Sequence, residues 1–93
     1  RQSWATLDVR PNPFNPRTKI EIELDRAARV EVAVLDARGR VVRRFDAISM
    51  SRGLNSLVWN GEDQAGAPAP SGVYFVHVIA DGRTMTRKAA LVR

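Results

Sequence analysis

The sequence predicts an all-β fold in which two antiparallel sheets pack face to face. Three observations carry this. Several short runs alternate apolar and polar residues at the period of two expected of half-buried strands. Turn signals built from Gly, Pro, Asn and Asp punctuate those runs every 8–12 residues or so, the usual spacing in a sandwich. No stretch carries a convincing helical pattern. The chain is organised around Ser71–Ala80 (SGVYFVHVIA), which is apolar on both alternating faces. In an extended chain Val73, Phe75, His77 and Ile79 point one way and Tyr74, Val76, Val78 and Ala80 the other. Its β-branched and aromatic content, its start at Gly72 and its end at Asp81-Gly82 favour a central strand over a buried helix.

The first strand is expected over Trp4–Arg10, with Leu7 and Val9 turned inward. PNPFNPR (Pro11–Arg17) follows, and its three prolines hold Asn12 and Asn15 in extended geometry, giving a stiff, shaped connection. Phe14 is expected to plug one end of the core, with an exposed recognition side chain as the alternative. Thr18–Leu24 (TKIEIEL) is the cleanest alternation, with Ile20, Ile22 and Leu24 on one face and Lys19, Glu21 and Glu23 on the other. Arg29–Asp36 repeats it with Val30, Val32 and Val34, and the short Asp25–Ala28 connection predicts a hairpin between the two runs. In the next turn Asp36 is placed to accept backbone hydrogen bonds and Gly39 to take a positive φ. Arg40–Asp46 reads as a strand anchored by Val42 and Phe45, and Ala47–Asn55 as a loop with some strand at its end.

Ser56–Asn60 puts Leu57 and Trp59 on one face of a short strand, Trp59 as a core keystone or, alternatively, as a sugar-stacking platform. Gly61–Ser71 (GEDQAGAPAPS) is the longest turn-rich segment. Asn60, Glu62 and Asp63 resemble oxygen ligands for calcium but lack the twelve-residue loop pattern, so turn-forming hydrogen bonds are the favoured reading. Asp81-Gly82 signals a two-residue hairpin, and Arg83–Arg93 returns as the last strand, apolar almost to its end. About seven strands result, an immunoglobulin-like antiparallel β-sandwich without the Cys…Trp…Cys spacing of antibody domains.

Ninety-three residues, 44% hydrophobic and 27% charged, form one small globular domain and argue against disorder. A start at Arg1 suggests a piece of something longer. No run approaches the roughly 20 apolar residues that span a bilayer, so no membrane insertion is expected. Without cysteine there is no disulfide and no thiolate metal site. The net charge of +5 gathers partly at Arg38, Arg40, Arg43 and Arg44, with Arg52 beyond. On a strand Arg40, Arg43 and Arg44 do not share one face and no nucleic-acid-binding pattern surrounds them, so a solvated sheet surface is expected and no nucleic-acid partner. An anionic surface glycolipid is a partner the same patch could serve. His77, the one histidine, lies in an apolar strand, and no Ser/His/Asp set, zinc spacing or phosphate loop accompanies it. A non-enzyme without cofactors, monomeric, is therefore expected.

Four blocks, PNPFNPRTKIEIEL, VLDARGRVVRRF, WNGEDQAGAPAPSGVYFVHV and RKAALVR, carry a family likeness. In order, and over Leu7–Arg93, the chain resembles the immunoglobulin-like domain of the flagellar hook-capping protein family. More closely still it resembles the C-terminal type A sorting domains of the type IX secretion system. The resemblance implies a C-terminal module of a larger exported protein, read at the outer membrane as an export address and sometimes removed afterwards. The outer-membrane secretion machinery and the upstream passenger domain are then the partners, and the cell surface or medium the destination. Carried over by position, the recognition residues are Pro11, Asn12 and Pro13, then Gly72, Val73 and Tyr74, then Lys88 with Leu91 and Val92 in the terminal run. One mechanism would add the exposed edge of the last strand to a partner sheet. The alternatives are a structural accessory domain packed against its neighbour and a carbohydrate-binding module using Trp59 or Phe14.

Overall fold

The computed structural model describes residues 4–93. Eight strands follow one another: β1 (Ala5–Arg10), β2 (Thr18–Leu24), β3 (Ala28–Asp36), β4 (Val41–Arg44), β5 (Ile48–Met50), β6 (Gly53–Trp59), β7 (Gly72–Ala80) and β8 (Arg83–Leu91). They form a three-stranded sheet in the order β1-β2-β6 and a five-stranded sheet in the order β4-β3-β7-β8, in which β5 also pairs with β3. Every strand pairing is antiparallel. No helix occurs among the described residues. The expected immunoglobulin-like sandwich is therefore present, with the all-apolar run at its centre as β7 between β3 and β8.

The period-two runs turn the faces they should. Ala5, Leu7 and Val9 of β1 and Ile20, Ile22 and Leu24 of β2 enter the core from one layer. Val30, Val32 and Val34 of β3 and Tyr74, Val76, Val78 and Ala80 of β7 enter from the other. Each Val, Leu or Ile among them, withdrawn from water, stabilises the fold by about 1.5–3 kcal/mol, which is how a chain without cysteine holds two sheets together. On β7 the second apolar face, Phe75, His77 and Ile79, is only half-buried and looks outward.

Two expectations need correction. β2 and β3 are not a hairpin: β2 pairs with β1 and β6, β3 with β4, β5 and β7. The 25–27 connection carries the chain from one layer to the other, so that the inward faces of β2 and β3 oppose each other across the core. Alternation specifies which face is buried and is silent on which strand lies alongside. The 47–55 segment is also more regular than a loop. It holds β5, which pairs Ala28 with Met50 and Val30 with Ile48, before β6 begins at Gly53. Three residues with one buried side chain are too short to show a period. Smaller shifts are that β1 starts at Ala5 instead of Trp4, and β4 ends at Arg44, with Val42 and Phe45 half-buried against the core as anchors.

Candidate recognition surface

Residues from the two ends of the chain meet at one end of the sandwich. β7 and β8 pair there with Gly72 opposite Leu91, Val73 opposite Ala90, Tyr74 opposite Ala89 and Phe75 opposite Lys88. Along the outer edge of β8 runs the proline-rich connection. The Asn12 side-chain amide donates to the Lys88 carbonyl at 2.9 Å, and its oxygen accepts from the Ala90 amide at 3.0 Å. A primary amide offers one donor and one acceptor at nearly the spacing of a peptide group, so Asn12 stands in for a strand residue. Phe14 continues the ladder, its amide donating to the Ala90 carbonyl and its carbonyl accepting from the Val92 amide, both at 2.9 Å. The bonds before Pro11, Pro13 and Pro16 are cis.

This arrangement corrects the expectation of an open edge on the last strand. From Lys88 to Val92 its outward backbone groups are occupied by Asn12 and Phe14, leaving no free ladder for a partner strand there. Farther back, Arg87 reaches from β8 across to the other sheet, its Nε donating to the Leu7 carbonyl of β1 at 2.8 Å.

Beneath the clamp lie three rings. Trp59 is fully buried (0% exposed) between Phe14, centroids 5.5 Å apart, and Tyr74, 5.2 Å away and edge-on. Its indole N–H donates to the Glu62 carbonyl at 2.9 Å, satisfying its one polar atom. With Phe14 only 2% exposed, neither ring is available to stack on a sugar. Phe14 is thus the core plug and Trp59 the keystone. The Tyr74 hydroxyl donates to the Pro70 carbonyl four residues upstream, as in the tyrosine corner of sandwich domains. Burial, reinforced by the nearby Asp36 charge and partly offset by Arg93, pushes its hydroxyl above the ordinary 10.0.

The terminal residue closes the same end. Arg93 donates from its amide to the Ser71 hydroxyl at 2.9 Å, from Nε to the Ala69 carbonyl at 2.7 Å, and from its terminal nitrogen to the Gly61 carbonyl. In the turn-rich segment Asp63 is fully employed locally, its carboxylate accepting from the Ala65 and Ala67 amides at 3.0 and 2.9 Å, as a turn former does. Asp36 likewise accepts from the Arg38 and Arg40 amides and from the Arg40 guanidinium. The Arg40 amide above all, opposed by slight burial and helped by Arg38 and the guanidinium, holds its carboxyl below the ordinary 3.8. An open cleft of about 520 Å³ between these two turns contains Asp36, Asp63 and Tyr74; both Asp36 oxygens, Asp63 Oδ1 and the Tyr74 hydroxyl are held in hydrogen bonds. His77 sits on the outer face of the five-stranded sheet, its Nδ1 3.1 Å from the Thr86 hydroxyl.

The nine residues named for recognition thus come together, in two kinds. Tyr74 and Leu91 are core residues, and Asn12 is spent on the clamp. Pro11 and Pro13 are exposed beside it, and Gly72 is exposed where β7 begins. Val73 (41% exposed), Val92 (53% exposed) and Lys88 face solvent. Val73, half-buried Phe75 and Lys88 lie on the outer face of the five-stranded sheet, in rows that Leu35 and Val41 continue onto β3 and β4. Sequence reasoning missed Arg87, Arg93 and Gln64, whose roles depend on neighbours distant along the chain and leave no local signal. In the basic cluster, Arg40 is paired with Asp36 and Arg43 lies over the Phe45 ring at 4.5 Å. Arg43 and Arg44 pair with Val34 and Ala33, successive β3 residues that point to opposite faces, so they do not form one patch.

Residues 11–83 match the family described as the FlgD Ig-like domain. The chain belongs to that family. Among solved structures this FlgD Ig-like domain is similar to a part of dimeric latent PorU from Porphyromonas gingivalis, with a TM-score of 0.79, 20% identity, 95% of this chain covered and 9% of that one. It is similar also to PorZ, a surface component of the type IX secretion system of the same organism (TM-score 0.63, 23% identity, 94% and 11% covered). FlgD from P. aeruginosa superposes with a TM-score of 0.64 at 23% identity, 97% of this chain covering 77% of that one. At these identities the likeness is one of fold, and the domain spans about a tenth of the length of PorU and PorZ. No curated protein matches it.

Proposed function

We propose that this FlgD Ig-like domain is a non-catalytic sorting module that directs a passenger through the type IX secretion system to the cell surface or medium. The outer-membrane secretion machinery and the passenger domain upstream are its partners. The observation that carries the reading is the convergence of the three groups of carried-over positions, Pro11–Pro13, Gly72–Tyr74 and Lys88–Val92, on one end of the sandwich. There the Asn12 clamp fixes the end of β8 and leaves Val73 and Lys88 displayed beside Phe75, with exposed Val92 just past the strand's end. The surface offered is a shallow apolar strip with a cation on it, suited to gripping by another protein. Likeness to domains of PorU and PorZ supports the choice of secretion system.

The test fuses the domain behind a fluorescent reporter carrying a signal peptide, in a type IX-competent bacterium. The fusion is expected outside the cell, and the double variant Val73→Glu, Val92→Glu is expected to accumulate in the periplasm. Both positions are exposed, so circular dichroism of the purified variant should be unchanged. Normal export of a folded double variant would overturn the assignment of this surface. Retention of the parent fusion would overturn the sorting role and leave a structural accessory domain, the reading that kinship with FlgD favours.

A further inference from the structure

Three of the four sheet margins are covered over part of their length. Asn12 and Phe14 cover the end of β8, and Arg87 ties β8 to β1. Gln64 covers β4 in the same manner, its amide donating to the Val42 carbonyl at 2.9 Å and its side-chain oxygen accepting from the Arg44 amide at 2.6 Å. β6 differs. Among the described residues its strand pairing is with β2 alone; apart from the Gly53 carbonyl, which accepts from the Asn55 side-chain amide at 3.2 Å, the backbone groups that alternate residues turn to its other edge make no hydrogen bond, and the strand includes no proline. Leu54, 67% exposed, and Val58, 50% exposed, project from its outer face on either side of Ser56. A long, uncovered edge with apolar side chains is a template for another strand.

The pattern about Ser56 is self-complementary. Two copies of β6 running antiparallel about a twofold axis through Ser56 set Leu54 of each opposite Val58 of the other. Registers centred on Asn55 or Leu57 would instead oppose Leu54 or Val58 to serine, and a shift of one residue would turn an outer face against an inner one. Charge agrees with the Ser56 register. On β2, Glu23 lies beside Leu54 and Lys19 beside Val58. Each apolar row therefore ends in a carboxylate on one copy and an ammonium on the other. In the central row the two Glu21 side chains are three strand spacings apart, roughly 14 Å, beyond the screening length of about 8 Å at physiological salt. Each is also held by Arg10 at 3.1 Å.

We infer that two copies of this chain pair through β6, Ser56 against Ser56, joining their three-stranded sheets into one of six strands. This dimer replaces the monomer expected from the sequence and uses a surface separate from the proposed recognition strip. Sedimentation velocity of the 93-residue chain from micromolar to millimolar concentration should show a monomer–dimer equilibrium. Leu54→Lys and Val58→Glu, each placed beside an opposite charge of its own β2, should singly weaken association about tenfold without altering the thermal midpoint measured at concentrations where the chain is monomeric. Combined, they oppose lysine to glutamate across the junction and should restore association to within about threefold of the parent. A chain that stays monomeric to millimolar concentration, or a double variant weaker than either single one, would overturn the inference.

Discussion

Replacing Asn12 with Ala tests whether a side-chain amide ties the two ends of this domain together. The substitution deletes the 2.9 Å bond to the Lys88 carbonyl and the 3.0 Å bond from the Ala90 amide, and leaves the Phe14 ladder intact. Both freed backbone groups lie at an exposed edge where water can reach them, so no buried polar group is orphaned. The loss is then the net value of two hydrogen bonds, about 1–2 kcal/mol. For a domain of this size each kcal/mol moves the thermal midpoint by about 4–8 °C. Asn12→Asp keeps an acceptor for the Ala90 amide but sets a carboxylate oxygen against the Lys88 carbonyl, two acceptors with no proton between them, so near neutral pH it should be no more stable than Asn12→Ala. Thermal unfolding gives the global cost, and hydrogen exchange gives the local one. The Ala90 amide should exchange faster in Asn12→Ala, with core amides of β3 changing only as global stability does. An unchanged midpoint together with unchanged Ala90 protection would refute the claim that Asn12 acts as a surrogate strand residue.

Two further substitutions probe the turns. Gly61→Ala should destabilise by about 2–4 kcal/mol in urea titrations, because Gly61 has a φ of 73° and a Cβ there would sit 2.6 Å from the Pro16 carbonyl oxygen. Gly39→Ala, at a φ of 83° with open space around it, should cost only about 1–2 kcal/mol, and equal effects would show that the close approach to Pro16 is not what matters. Asp36→Asn addresses pH. Because the Asp36 carboxyl titrates below its ordinary 3.8 in the folded chain, its stabilising contribution is complete above that value and is lost as pH falls through the lowered one. The parent should therefore exceed Asp36→Asn in urea midpoint near neutral pH and approach it in strong acid; a gap that stays constant with pH would contradict this.

Much of the sandwich is legible in the sequence because alternation is a local property. Ile20, Ile22 and Leu24 or Val30, Val32 and Val34 each declare a buried face from within one run, and each of these is buried. The apolar stretch 71–80 declares a central strand by having no polar face at all. Strand partnership is another matter, since β2 and β3 carry the same pattern and nothing between them says that the chain changes layers. The site shows the same division. Its positions follow from family likeness, but their roles follow from contacts such as Asn12 with Lys88 and Arg87 with Leu7, separated by 76 and 80 residues. Asparagine in a proline-rich turn reads as a turn former, and only the fold reveals that its amide completes a sheet edge.

Those long separations bear on how the proposed surface could be read. Val73 and Lys88 come onto one face through the β7–β8 pairing, with Val92 just past its end, and that edge is held by residues 12 and 14 from the other end of the chain. The strip therefore exists only after the last residues have joined the sheet. Removing Ala89–Arg93 would be a poor test of recognition, because Ala89 and Leu91 are fully buried and Arg93 supplies three hydrogen bonds to the turn-rich segment. The truncated chain would lose core contacts worth several kcal/mol, comparable with the whole stability of a small domain. A receptor of the kind proposed must then distinguish a finished domain from an unfinished one. Point substitutions at exposed Val73 and Val92 separate recognition from folding, whereas a deletion merges them.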